Sequence, residues 1–535
     1  MKSPKVRQNQ SSLILGWRLT PNLDPVYWLN RKAKPGQQSE SDLVTIPAAL
    51  AATHTAIIAQ SGSGKSFFLG RLIEELCLQT KARCVVLDPN SDFSRIYEAQ
   101  DATMWRDAGY DVQRRRGNLP HEATLEAFAD KWSAISIRVK TGGVPAGANL
   151  EKLRLRWSSI SADFLAEDLD PMLRGELYHA HSFVKNLEWL FLYRSRHVPP
   201  ASKRSEEYEA KPKQQGKEKV DLLAEAERLL RRGRAASEQV FRSELEKEFP
   251  SKPLAPKDIL AGPTSWYLLA NLSGSLLSPF LAATATSKIE GLVKGAKYVS
   301  ETVERYYFGK ARGYQAAGII ASEPLPSKLD PPCQLEIVDL PSFAERNTRL
   351  LVANAVVSEE SARAKAAWAK ALREPPESDS RVPTFIVVDE AHNLIPADPR
   401  TPADAALREQ FRTIVAEGRK YGLFLILVSQ RPDKLDPLAL SECENRAVMK
   451  LSSMSVLRVT RERLGLDDIS TRLLEKCLEF ETGRLLLIGN WAPHEPKLAY
   501  CAARRTIEGG RNLRAESWAI VEPQKRVKKL KTKRS

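Results

Sequence analysis

Short runs of apolar and β-branched residues recur along the chain, and most of them end in polar or acidic residues. They lie at 56–58, 82–88, 335–340, 384–390 and 422–430. Continuous apolar runs of this length are typical of strands that are buried on both faces of a parallel sheet, whereas half-exposed strands alternate. The pattern therefore predicts an α/β fold with a parallel sheet covered by helices.

Helical periodicity appears between these runs. Residues 66–80 place Phe68, Leu72 and Leu76 on one stripe, which predicts a helix directly after the first strand. Much of 150–250 has the same spacing, and the region 198–219 is a lysine-rich polar segment that predicts a solvated loop. The predicted helix at 220–249 has a basic face, for which a solvated surface is the favoured interpretation and contact with DNA the alternative.

These patterns divide the chain into five regions. We expect a short N-terminal region at 1–50, a core in two parts at 51–115 and 331–505, a mainly helical insertion at 116–330, and a basic tail at 506–535.

The composition points to an anionic partner. The chain has 535 residues, of which 42% are hydrophobic, and a formal net charge of +15 at pH 7. Such a charge favours nucleic acid. We expect no membrane span, because the chain contains no apolar run of about 18 residues. The first residues lack an apolar signal core and the six cysteines are scattered, so we expect a cytoplasmic protein without a zinc site.

A glycine-rich turn follows the first predicted strand. It reads A-Q-S-G-S-G-K-S and departs from the pattern G-x-x-x-x-G-K-[ST] only at Ala59, which replaces the first glycine. Backbone N–H groups of such a loop and the N-terminus of the following helix bind phosphates. The predicted phosphate-binding residues are Gln60, Ser61, Gly62, Ser63, Gly64, Lys65 and Ser66. Lys65 would reach the outer phosphates of a bound polyphosphate, and Ser66 would ligate Mg²⁺.

A second set of polar residues lies at later strand ends. The predicted strand at 384–390 ends in Asp389 and Glu390, and the predicted strand at 422–430 ends in Gln430. We predict that Asp389 holds the magnesium water shell and that Glu390 polarises the water that attacks the γ-phosphate. Gln430 would lie beside the γ-phosphate and sense whether it is present; the alternative is a glutamine that caps the strand.

Further acids fall at the carboxyl ends of predicted parallel strands, where ligands bind in such sheets. For Asp88, Asp92 and Asp339 a structural or supporting role is favoured over a catalytic one. His392 follows the acids closely and is a candidate for coupling nucleotide state to DNA contacts. The pair His179 and His181 is too sparse for a metal site, which favours packed or exposed histidines.

The motifs taken together resemble a known family. The series Q-S-G-S-G-K-S, L-D-P-N-S-D-F, V-V-D-E-A-H-N-L-I-P, E-G-R-K-Y-G-L and V-S-Q-R-P is similar to the HerA-like branch of the HerA–FtsK superfamily of P-loop DNA-translocating ATPases. The resemblance implies a RecA-like core, ATP with Mg²⁺, and a hexameric ring around double-stranded DNA. It supports the roles given above to Lys65, Ser66, Asp389, Glu390 and Gln430.

The resemblance also gives Arg419 a role as an arginine finger that reaches the site of a neighbouring subunit. The alternative is that Arg419 is a cation at a helix C-terminus, before Gly422. Arg431 is a weaker second candidate for the finger.

The resemblance implies an ATP-driven translocase or helicase, with a nuclease as a possible partner. The stretch before the phosphate loop is too short for the family's usual N-terminal β-barrel, so we expect none. Two alternatives remain: an ATP-dependent scaffold that recruits a nuclease, and an ATPase of the type IV secretion kind.

Overall fold

The computed structural model describes most of the predicted core. The described residues are 11–20, 22–24, 43–100, 125–143, 147–166, 169, 173–197, 221–231, 302–323, 333–375, 378–492 and 494–509. The predicted loop at 198–219, most of the predicted helix at 220–249 and the tail from residue 510 onward lie outside these ranges.

One twelve-stranded sheet runs through the described residues, in the order β2-β1-β12-β11-β10-β3-β9-β8-β4-β7-β5-β6. The strands are β1 Ser12–Arg18, β2 Leu43–Pro47, β3 Thr55–Ile58, β4 Arg83–Asp88, β5 Ile137–Thr141, β6 Leu150–Lys152, β7 Leu335–Asp339, β8 Thr384–Val388, β9 Leu423–Ser429, β10 Asn445–Val448, β11 Arg484–Ile488 and β12 Lys497–Cys501. From β10 to β6 all neighbours are parallel, whereas β11, β12, β1 and β2 extend the other side with antiparallel pairs.

Helices cover both faces of this sheet. They are α1 Ala48–Ala51, α2 Lys65–Gln79, α3 Leu125–Ser133, α4 Arg174–His197, α5 222–231, α6 302–316, α7 Arg346–Ala371, α8 Pro402–Tyr421, α9 Pro437–Ser441, α10 Met454–Leu464 and α11 Asp468–Glu475. The buried side of α2 packs on one face, and α7, α8 and α10 pack on the other.

The central parallel strands β3, β4, β8 and β9 are buried on both faces, as their continuous apolar runs predicted. In β8, Ile386 and Val388 belong to the core under α7 and α8, whereas Phe385 and Val387 belong to the core under α2. Successive side chains of a strand point to opposite faces, so a strand that is covered on both faces, such as β8, is built mostly from apolar residues.

The predicted fold class is confirmed. The structure is an α/β fold with a parallel sheet between helices, and β3, which carries the glycine-rich turn, lies between β10 and β9. Within the stretch expected to be a helical insertion, β5 and β6 continue the sheet beyond β7, and α3 and α4 account for much of the rest that is described.

Candidate functional site

The glycine-rich turn joins β3 to α2, and its backbone has the shape that the motif predicts. Gly62 and Gly64 have φ angles of 75° and 92°, in the left-handed region that favours glycine. Ala59 is not among the residues with positive φ, so its methyl group costs the backbone nothing there. The departure at Ala59 is therefore compatible with the turn.

A second loop braces this turn from outside. The Thr482 hydroxyl donates a hydrogen bond to the Gly62 carbonyl at 2.9 Å, and the Gly483 N–H donates one to the Ser63 carbonyl at 2.9 Å. Because the C=O and N–H of one planar peptide point in opposite directions, the bond to the Ser63 carbonyl directs the Gly64 N–H to the other side. The brace therefore fixes the direction of an N–H group that the sequence predicts to bind phosphate.

Lys65 lies between the two predicted carboxylates. Its Nζ is 2.8 Å from Asp389 Oδ1 and 2.5 Å from Glu390 Oε1, although the lysine and the acids are more than 300 positions apart. Asp389 has no solvent exposure and Glu390 is 6% exposed. The structure thus brings together the two halves of the predicted site in a buried three-charge cluster.

Opposing effects set the pKa values in this cluster. Burial by itself lowers the pKa of Lys65, but Asp389 and Glu390 outweigh burial, so the net pKa is raised and the amine stays charged. Burial raises the pKa of Asp389, and the Lys65 charge opposes that rise. Lys65 is therefore the counterion that makes this buried carboxylate tolerable.

Glu390 is held in an unusual backbone conformation. Its φ of 44° is in the left-handed region, which a residue with a long side chain seldom adopts. The Gln430 amide donates a hydrogen bond to Glu390 Oε1, and the Gln60 amide donates one to the Gln430 carbonyl at 3.0 Å. Gln430 thus lies beside the predicted catalytic carboxylate and is tied to the phosphate loop.

The Ser66 hydroxyl contacts Asp92, an acid for which the sequence favours a structural or supporting role. It donates a hydrogen bond to Asp92 Oδ2 at 2.6 Å. Asp88, at the end of β4, accepts hydrogen bonds from the N–H groups of Asn90, Asp92 and Phe93 and thereby shapes this turn. Burial raises the pKa of Asp88 to about 7, against the lowering effect of these bonds.

Magnesium fits the chemistry of these residues. Mg²⁺ prefers oxygen ligands and is usually held by one or two carboxylates together with waters and phosphates. Ser66 Oγ supplies a hydroxyl oxygen, and Asp389 Oδ2 is a buried oxygen without a hydrogen-bond partner. Within the described ranges no group of three His, Cys, Asp or Glu side chains closes into a metal site, so a metal here would depend on nucleotide phosphates.

Arg504 supports the phosphate loop from the C-terminal segment, and the sequence gave no signal for it. Its guanidinium donates to the Ser66 and Asp92 carbonyls at 3.3 Å each and lies over the Phe93 ring. The side chain passes close to Gly70 of α2, where an added Cβ would lie 2.4 Å from Arg504 Cδ. The glycine therefore makes room for an arginine that joins the start of α2 to the turn after β4.

Arg419 lies away from this site. It is near the end of α8, four residues before β9 begins, and its Nη1 is 3.0 Å from Glu444 Oε1 with 71% of its side chain exposed. This is the amino edge of the parallel strands, whereas the phosphate loop is at the carboxyl edge. Arg419 therefore cannot reach Lys65 of its own chain, and a finger role requires a second copy.

The remaining candidates lie in different surroundings. His392 and Arg431 lie beside Glu390 at the carboxyl edge. Asp339 accepts a hydrogen bond from the Ser91 hydroxyl at 2.6 Å and so supports the turn after β4. His181 is buried and bonded to Tyr307 and Ile160, which fits a packed histidine.

Comparison with known proteins agrees with the motifs. Residues 34–255 match the family model for the central domain of helicase HerA. The chain is 34% identical over 114 residues to the DNA double-strand break repair helicase HerA of Sulfolobus acidocaldarius, and 32% identical over 110 residues to that of Sulfurisphaera tokodaii. The alignments cover 21% of this chain and only 22% and 21% of those relatives. The resemblance to the HerA-like branch is confirmed.

Among solved structures, the chain is similar to VirB4 of Thermoanaerobacter pseudethanolicus. The identity is 15% and the TM-score 0.40, over 93% of this chain and 98% of that one. A score this low supports no inference about activity. In the described part of the chain, no helix is both long and apolar enough to cross a membrane.

Proposed function

We propose that this HerA-like chain is an ATP-hydrolysing motor that translocates along or unwinds double-stranded DNA in the cytoplasm. The observation that carries the proposal is the contact of Lys65 with both Asp389 and Glu390 at the edge where the phosphate loop begins. A lysine on the loop, an acid for the metal and an acid for the water are the groups that P-loop hydrolysis requires.

Binding of ATP exchanges the partners of Lys65. The loop N–H groups and the N-terminus of α2 hold the phosphates, and the Lys65 amine turns from the carboxylates to the outer phosphate oxygens. Ser66 and Asp389 would hold Mg²⁺, which neutralises charge on the phosphates. When the Lys65 amine moves away, Glu390 is free to accept a proton from water. The hydrogen bond from Gln430 and the left-handed backbone at Glu390 keep the carboxylate in its orientation.

The DNA part of the proposal rests on charge and on the relatives. The net charge of +15 favours a polyanionic partner, and the relatives from Sulfolobus acidocaldarius and Sulfurisphaera tokodaii are DNA double-strand break repair helicases by name. Arg419 lies at the opposite edge from the site in the same chain, so a ring that stacks one edge against the next would deliver it in trans. We infer a hexamer as the form in which the site is complete.

Hydrolysis and its dependence on DNA test the proposal directly. We expect Glu390→Gln to bind ATP and Mg²⁺ as the parent does, but to hydrolyse ATP at least about 100-fold more slowly, because the amide cannot act as a base. Glu462→Gln is the matched control, since Glu462 is exposed on α10 and has no role in the proposed site. Parent-like hydrolysis by the Glu390 variant would refute the site.

The partner and the assembly need separate measurements. Stimulation of hydrolysis by duplex DNA supports the motor. DNA-independent hydrolysis together with tight nuclease binding supports the scaffold, and cofractionation with membranes supports a secretion ATPase. Native mass spectrometry with ATP and duplex DNA should show a hexamer, and a monomer under all conditions contradicts the role of Arg419.

A further inference from the structure

A charged cleft adjoins Glu390 at the carboxyl edge of β8 and β9. We call it the His392 cleft, and its volume is about 870 Å³. It is formed by the turn after β8, the start of α8, the turn after β9 and the first residue of α7. Its lining includes the basic residues Arg346, Arg400, Arg431 and Lys434, the acids Asp398, Asp404 and Asp433, and His392.

The acids of the cleft neutralise only some of these cations. Asp404 is buried, caps α8 and is 2.5 Å from Arg346 Nη2, so this pair belongs to the wall. Asp433 is 3.4 Å from Arg431 Nη2, in an exposed pair that contributes little. Arg400 and Lys434 remain as the cations that an incoming anion would meet, with Arg431 beside them.

A chain of contacts connects this cleft to the predicted catalytic carboxylate. The Arg431 N–H donates a hydrogen bond to Ser429 Oγ at 3.0 Å. Ser429 Oγ lies 3.1 Å from His392 Nδ1, and the same nitrogen lies 3.5 Å from Glu390 Oε2. A shift of the turn after β9 therefore moves the His392 imidazole through the Ser429 hydroxyl.

The carboxylate itself is prepared for such a contact. Glu390 Oε1 is used by Lys65 and Gln430, whereas Glu390 Oε2 is buried and has no hydrogen-bond partner. An unpaired buried carboxylate oxygen is costly, so a small rotation of His392 that donates to it is favourable. His392 is the side chain placed to hold Glu390 in position once Lys65 turns to the phosphates.

We propose that the phosphate backbone of duplex DNA binds in the His392 cleft through Arg400, Arg431 and Lys434, and that His392 transmits this contact to Glu390. The inference rests on the proposed motor function and deepens it. DNA that pulls on the turn after β9 moves the Arg431 N–H and Ser429, and His392 then orients the carboxylate that polarises water. Hydrolysis thereby becomes dependent on DNA, with His392 as a positioning residue.

The test separates binding of DNA from its transmission. Arg400→Ala/Lys434→Ala should weaken binding of a fluorescent DNA duplex by about tenfold at 0.1 M salt. The slope of log affinity against log salt concentration should fall by the amount that corresponds to about two phosphate contacts. Lys370→Ala/Arg373→Ala is the control of equal charge, on one exposed residue in the last turn of α7 and one just after it. It should leave duplex affinity and hydrolysis unchanged.

Variants of His392 test the transmission. His392→Ala should keep duplex affinity within about twofold of the parent but lose at least about fivefold in the ratio of DNA-stimulated to basal kcat. His392→Asn, which returns a hydrogen-bonding group near the position of Nδ1, should recover part of that ratio. Equal loss of basal and stimulated rates, without rescue by asparagine, would mean that His392 is merely structural and would overturn the transmission.

The failures are distinguishable. If the parent protein does not hydrolyse ATP, or if duplex DNA does not stimulate its hydrolysis, both the proposed function and this inference are wrong. A parent that DNA stimulates, combined with an Arg400→Ala/Lys434→Ala variant that binds duplex as the control does, removes only the inference. If that variant instead loses oligomerisation, the cleft receives a neighbouring subunit and the DNA assignment is wrong.

Discussion

Replacing Lys65 by methionine should destabilise the protein as well as inactivate it. Methionine keeps most of the length of the side chain but removes the charge that serves both Asp389 and Glu390, at 2.8 and 2.5 Å. Removing one partner from a buried ion pair costs about 3–5 kcal/mol, because an uncompensated charge remains inside. Here two carboxylates lose the same counterion, so we expect a loss in that range.

This loss is large beside the free energy of unfolding of a typical domain, which is about 5–15 kcal/mol. Urea unfolding followed by tryptophan fluorescence, in buffer without nucleotide and magnesium, should show a lower midpoint for Lys65→Met. The triple variant Lys65→Met/Asp389→Asn/Glu390→Gln removes the uncompensated charges and should recover most of the stability while staying inactive. The double variant Asp389→Asn/Glu390→Gln keeps the buried Lys65 but removes its two charged partners, and its urea midpoint should be measured beside those of the single and triple variants.

The reasoning is refuted if the free energy of unfolding of Lys65→Met lies within about 0.5 kcal/mol of that of the parent, which is the range of neutral surface substitutions. It is also refuted if the triple variant is no more stable than the single one. A practical consequence follows: loss of hydrolysis in a Lys65 variant does not by itself identify a phosphate-binding role, whereas Glu390→Gln keeps the local hydrogen-bonding pattern.

Three further outcomes are expected. Asp92→Asn should weaken magnesium-dependent binding of a fluorescent ATP analogue by about tenfold while magnesium-free binding changes little, because the hydrogen bond to Ser66 Oγ loses its charged acceptor; equal losses in both would contradict a role on the metal side. Burial lowers the pKa of His181 from 6.5 to about 4, so its contribution to stability is present above pH 6.5 and is lost as the pH falls towards 4. That amounts to about 2 kcal/mol between pH 8 and pH 5, which denaturation at both values should detect and which His181→Gln should reduce. Gly70→Leu should lower the melting temperature by several degrees, since its side chain would collide with Arg504, and an unchanged value would show that Arg504 moves freely.

Much of the core was predictable because its signals are local. A parallel strand covered on both faces is apolar at most of its positions, so β4, β7, β8 and β9 are visible as runs in the sequence, although β7 also contains the buried Glu336, which pairs with Arg83. The phosphate loop is visible for the same reason, since its φ angles and its lysine are fixed within seven residues. Strand ends also indicate the edge of the sheet, which located Asp389, Glu390 and Gln430 correctly at one edge.

The contacts between segments were not predictable from these signals. Asp92 touches Ser66 only because the turn after β4 folds back over the start of α2. Arg504 reaches both elements from a segment more than 400 positions away, and a lone arginine after a strand carries no pattern that marks it.

The amino-acid sequence by itself determined which residue types stand at which strand ends and which turn has the glycine-rich pattern of a phosphate loop, because backbone geometry and burial act over a few neighbouring residues. Only the tertiary structure decided that Lys65 faces both acids, that His392 joins Ser429 to Glu390, and that Arg419 lies at the far edge. Those relations depend on the order of strands in the sheet. That order is set by long-range packing, which no local pattern contains.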